Sequence, residues 1–202
     1  MMRIVSLISQ FLVFLVVGAA AQPQIEDISR VFSQGEIKND EYRNDYFGLT
    51  LTPVGAKFTK GSFISPEGKR ARLVDAADDA KNWGDKYSIA ILADALSANP
   101  AIHSPSQYLR SVRHQLEKEG MTTFREETPR KVSSLDFVES VMKVSEQGRT
   151  HYQGMYTTFL NGYILSLQVT APTERRLEEI VRMVKFTTPD DQHQRIHKSK
   201  LP

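Results

Sequence analysis

"HYQGMYTTFLNGYILSLQVTA", residues 151–171, decides how this chain folds. Two runs rich in β-branched and aromatic residues flank Asn161-Gly162, and both of those residues tolerate the positive φ of a type I′ turn. The turn sets Leu160 opposite Tyr163, Thr158 opposite Leu165, Tyr156 opposite Leu167 and Gly154 opposite Val169. That register gathers apolar side chains on one face, and a slip by one residue would mix the faces.

Working upstream, a strand over 134–145 meets this hairpin through Glu146-Gln147-Gly148, read as a three-residue loop with Gly148 left-handed. The loop places Met142 opposite Tyr152, Ser140 opposite Gly154 and Val138 opposite Tyr156. The other face then collects Glu139, Lys143, His151 and Gln153 beside Phe137, Met155 and Gln168. Such a surface is too polar for a dry core and too apolar for full solvation. Either a second layer covers it or something binds there.

Further strands are expected over 122–132, 87–96 and 69–76, with a polar loop at 75–85. A helix follows Ser104: Pro105 takes its first position, Gln107 completes an S-x-x-Q capping box, and Gly120 stops it. Leu109, Val112 and Leu116 form its apolar face, with Arg110, Arg113, Gln115 and Lys118 on the other sides. A second helix, capped by Thr173, turns Leu177, Ile180, Val181 and Val184 inward. Near the start, "NDYFGLTLTP" (44–53) alternates Phe47, Leu49 and Leu51 with Gly48, Thr50 and Thr52, a half-buried strand ended by Pro53.

Residues 1–21, "MMRIVSLISQFLVFLVVGAAA", have the parts of a signal peptide: Arg3, the apolar run from Phe11 to Val17, and Ala19-Ala20-Ala21 for the peptidase. Ser6, Ser9 and Gln10 weaken the competing reading as an uncleaved anchor. Residues 22–40, with Ile25, Ile28, Val31 and Phe32 at loosely helical spacing, read as a linker that docks weakly on the domain, 41–188 as one α+β domain, and 189–202 as a disordered tail. The chain has no cysteine, which excludes disulfides, thiolate metal sites and thiol nucleophiles. A net charge of +2 with interspersed signs offers no basic stripe for nucleic acid.

The pattern "Y-x-N-x-x-F-G-L-x-L-x-x-P" is carried here by Tyr42, Asn44, Phe47, Gly48, Leu49, Leu51 and Pro53. With the segment 151–181 and the order strand, helix, three meandering strands, helix, it resembles the PsbP-like group of exported proteins. The group often has Trp shortly after the strand-ending Pro, where this chain has Phe58. The resemblance implies an antiparallel sheet sandwiched between helices, in a group most of whose members are binding or assembly factors rather than enzymes.

Catalytic motifs do not stand out. Glu126-Glu127 and Glu178-Glu179 diverge as adjacent residues do and read as solvated charges. Asp75, Asp78, Asp79 and Asp85 lack calcium-loop order, Trp83 reads as a packing anchor, and His193 with His197 form a weak pair in the tail. No cofactor and no metal is expected. Two functions remain: a non-catalytic module presenting a sheet face or loop edge to a protein partner in the cell envelope, or a small-ligand protein or enzyme using Glu139, Lys143, His151 and Gln153. Membrane contact is expected only through an uncleaved signal segment. The exported chain, periplasmic or secreted, should begin near Gln22; N-terminal sequencing that finds Met1 in a membrane pellet would contradict this.

Overall fold

The computed structural model describes residues 28–61, 65, 69–78, 86–146 and 148–187. The elements are α1 (Ile28–Ser33), β1 (Gly35–Lys38), β2 (Glu41–Asn44), β3 (Leu49–Leu51), β4 (Ala56–Lys60), β5 (Arg70–Asp78) and β6 (Ser88–Ala95). There follow α2 (Pro105–Lys118), β7 (Thr122–Val132), β8 (Leu135–Glu146), β9 (Arg149–Leu160), β10 (Tyr163–Ala171), α3 (Glu174–Val181) and β11 (Val184–Phe186). The fold is α+β, with two antiparallel sheets: seven strands in the order β4-β5-β6-β10-β9-β8-β7, and four in the order β1-β2-β3-β11.

The Asn161-Gly162 turn behaves as its residues dictate. Asn161 and Gly162 take φ of 52° and 82°, and the β9–β10 pairing has the expected register from Tyr163↔Leu160 to Val169↔Gly154. β10 also pairs with β6, Leu165 opposite Ala93 and Leu167 opposite Ile91. One large-sheet face thus presents Tyr163, Leu165, Leu167 and Val169 beside Ile89, Ile91 and Tyr156, all buried in the main core. The small sheet, α1 and α3 contribute Leu49, Leu51, Ile28, Leu177 and Ile180 to that core. On the opposite face lies α2, whose Leu109 and Leu116 meet Met142 and Met155.

The opening stretch docks onto the hairpin tip. The Tyr46 hydroxyl donates to the Asn161 carbonyl (3.0 Å) while the Asn161 amide donates to the Tyr46 carbonyl (2.7 Å). Tyr46, Phe47 and Tyr163 meet edge to face, with centroids 5.0–5.9 Å apart, a geometry favoured by the ring quadrupoles. Gly48 turns the chain at φ 60°, so Phe47 precedes β3 rather than belonging to it.

Several boundaries differ from expectation. Part of the anticipated linker is built in: α1 buries Ile28 and Val31, and β1 pairs with β2 from Gly35↔Asn44 to Lys38↔Glu41. Val184 is not on the second helix. α3 ends at Val181, and Val184 opens β11 opposite Leu51. Asp75 and Asp78 lie in β5 rather than a loop, and Asp75 accepts from Arg72 (Nε, 2.7 Å). The signal segment, Asp79, Trp83, Asp85, His193 and His197 lie outside the described residues.

The burial of β10 predicts an unequal response to charge. Leu165→Asp and Leu167→Asp each place a carboxylate where the native side chain is 0% exposed, and each should cost about 3 kcal/mol or more. Gln168→Asp, at a half-buried position on the other face, should cost below about 1 kcal/mol. Equal melting shifts for the three variants would contradict the assigned faces.

Candidate functional site

The four residues anticipated as one polar cluster are divided by the sheet. Glu146 pairs with Arg149, so the β8–β9 loop holds two residues rather than three, and the register moves by one. Gly148 does adopt positive φ, 74°. Glu139 now opposes Tyr156 and Lys143 opposes Tyr152, whereas His151 opposes Val144 and Gln153 opposes Met142. Direct cross-strand neighbours share a face. Glu139 and Lys143 therefore stand on the α3 side of the sheet, and His151 and Gln153 on the α2 side.

Glu139, 2% exposed, lies at the heart of an ion-pair network. Arg125 on β7 bonds both Glu139 and Glu174, and Arg130 bonds Glu178 while its Nε sits 3.8 Å from Glu139 Oε2. Glu174 and Glu178 are one turn apart on α3, so two arginines fasten that helix to β7 and β8. Burial, with the Glu139 charge next, pushes the Tyr156 hydroxyl well above its ordinary pKa. The Tyr156 ring lies along the strand over Gly154, where an added Cβ would meet it at 2.8 Å.

The α2 side carries its own closed network. Asp94, 3% exposed, is bonded by Arg70 and accepts from the Tyr108 hydroxyl (2.8 Å). Thr157 and Ser166 share a hydrogen bond of 3.1 Å beneath the helix. Arg113, expected off the apolar face of α2, is instead 8% exposed and donates to Glu127 (2.7 Å) and Glu117 (2.9 Å). Its place was legible: Leu109, Arg113 and Leu116 fall at i, i+4 and i+7, a buried stripe. Glu127 and Glu178 are thus structural partners rather than solvated charges.

Lys143 has a different setting. β7 is bulged between Thr123 and Arg125, which oppose Met142 and Val141, leaving Phe124 as the extra residue. Phe124 and Arg125 consequently face the same side. Arg125 reaches the glutamates, and Phe124 meets Tyr152 edge to face at 5.3 Å. Lys143 Nζ lies 4.0 Å from the Phe124 centroid and 5.4 Å from that of Tyr152. Phe124 remains 38% exposed. Sequence alternation could not show this patch, because a bulge is invisible to a period of two.

No family model matches this sequence, and no curated protein sequence matches it. The PsbP-like resemblance is accordingly not identified as membership. Among solved structures the chain is similar to LpqN of Mycobacterium tuberculosis, described as involved in cell envelope biogenesis. Identity is 12% and the TM-score 0.44, over 69% of this chain and 83% of that one. It is also similar to a protein from Bacteroides thetaiotaomicron at 12% identity and a TM-score of 0.34, over 68% and 50% respectively. Likenesses this distant leave function to be argued from the residues themselves. Among the described residues, no helix is long and apolar enough to cross a membrane.

Glu127 makes the Arg113 network testable by pH. Burial alone would raise its carboxyl pKa, but the hydrogen bond and charge of Arg113 prevail and hold it below the ordinary 4.5. The unfolded chain therefore binds this proton at higher pH than the folded one. The stability from this group is complete above the ordinary carboxylate range and is lost as pH falls through the folded value. Glu127→Gln should lower the urea midpoint at neutral pH and flatten its decline from about pH 5 to about pH 3. An unchanged slope would show that other carboxylates govern acid unfolding.

Proposed function

We propose that the chain is an exported, non-catalytic binding or assembly module that meets a protein partner in the cell envelope. The observation that carries this reading is the internal use of charge on both faces of the large sheet. Glu139 and Asp94, the most deeply buried carboxylates among the described residues, are both held by arginines and by the layers that cover them. Those groups fasten α3 and the surroundings of α2 rather than open onto solvent, so recognition falls to the exposed surface.

The competing reading, a small-ligand protein or enzyme built on Glu139, Lys143, His151 and Gln153, requires those side chains to converge. The register puts a sheet between the two pairs. The export segment at 1–21 and the PsbP-like pattern over 41–188, a group of binding and assembly factors, point the same way as the geometry.

Affinity capture with the exported chain from the envelope fraction tests the proposal. A recovered protein that binds the purified chain saturably is the expected result. Recovery of small-molecule turnover from the purified chain, or no saturable partner at all, overturns it.

A further inference from the structure

From the surface around Lys143, Phe124 and Tyr152, we infer a docking site for an acidic, extended peptide segment of a protein partner. The inference rests on the reading of the chain as a partner-binding module and names the surface and the chemistry it recognises.

Three observations converge there. First, among the described residues Lys143 is a cation of this face without an ion pair, whereas Arg125 and Arg130 are committed to Glu139, Glu174 and Glu178. Among the described residues no carboxylate lies within ion-pair reach of Lys143, whose contacts are the two ring faces. A cation held over π faces keeps its full charge while losing rotamer freedom, so less ordering remains to be done when a carboxylate arrives. Second, Phe124 offers exposed apolar surface beside that ammonium, held in place by the bulge and by Tyr152. Third, the flanking side chains are neutral hydroxyls: Thr122 opposes Lys143, and Ser145 and Thr150 bond each other at 3.3 Å. Glu174, a partly exposed carboxylate on this side of the sheet, is already held by Arg125.

An ammonium next to one exposed aromatic fits a carboxylate followed by an apolar side chain. A lipid surface is the poorer match, since interfacial binding needs a broad apolar face and several basic residues together. The hairpin at Lys38–Glu41 is also charged, but its basic Lys38 and Arg43 are interleaved with Glu36 and Glu41, and Arg43 is paired with Glu41 at 3.0 Å.

The test is an amide chemical-shift titration of the exported chain with a short Glu-rich peptide containing Leu, its Gln-for-Glu counterpart, and vesicles of phosphatidylglycerol. The Glu peptide should shift residues 122–124, 143 and 150–152 and saturate in the millimolar range, as one charge contact with a small apolar area allows. The Gln counterpart, and the Lys143→Gln variant with the Glu peptide, should each bind about tenfold more weakly. Phe124→Leu keeps an apolar side chain at the bulge and removes the π face; it should weaken binding too, and it stands in if Lys143→Gln melts early. Equal shifts in Lys143→Gln, shifts centred on 36–43, or no response at about 10 mM peptide overturn the site. So does vesicle binding that depends on Lys143 without a peptide response. If the captured envelope partner binds Lys143→Gln as well as the wild type, the site falls while the module reading stands.

Discussion

β10 is buried on both of its faces, and the rest of the molecule is arranged around that constraint. Tyr163, Leu165, Leu167 and Val169 are at most 1% exposed on one side, and Ile164 and Ser166 at most 5% on the other. A strand in that position must pair along both edges, here with β6 and β9, because an unpaired backbone group without water costs as much as a lost hydrogen bond. Each face also needs its own cover. The chain supplies α2 for one, and the small sheet with α1 and α3 for the other.

Covering both faces brings charge into the interior, and the arginines follow from that. Glu139 under α3, Asp94 beneath Tyr108 and Glu127 beside Arg113 would each be intolerable alone. Removing one partner of such a buried pair costs about 3–5 kcal/mol, because it strands the other charge. Arg125, Arg130, Arg70 and Arg113 suit the task, since a guanidinium can bridge two carboxylates in a fixed plane. Arg125 does so between β8 and α3. These networks add little net stability over an apolar core of the same volume. Their geometry nevertheless determines which helix face meets which strand.

The β9–β10 register, the cap of α2 and the cap of α3 were legible because each depends on a few adjacent residues. Asn161-Gly162 admits one turn, and the Ser104 hydroxyl accepts from the Gln107 amide at 3.1 Å as its position requires. The β8–β9 register was not legible, since a lone glycine after the polar pair Glu146-Gln147 suits a loop of two residues or of three. That single step carried Glu139 and Lys143 to the opposite face and dissolved the anticipated cluster. The end of α3 was hidden for a related reason. Val184 fits helical spacing, and only the tertiary pairing with Leu51 draws it into a strand.

The edges of the large sheet bear on the proposed mode of binding. β7 is interrupted twice by register shifts, carries Pro129 and exposes Glu126 and Lys131. Bulges, proline and charge are the devices that stop another chain from adding as a strand. β4 at the other edge exposes Lys57 and Thr59 along a run of only five residues. Backbone augmentation is therefore disfavoured at both ends of the large sheet. The bulge that closes β7 to strand addition also turns Phe124 toward Lys143 and Tyr152. One irregularity thus closes the edge to strand addition and forms the proposed docking patch.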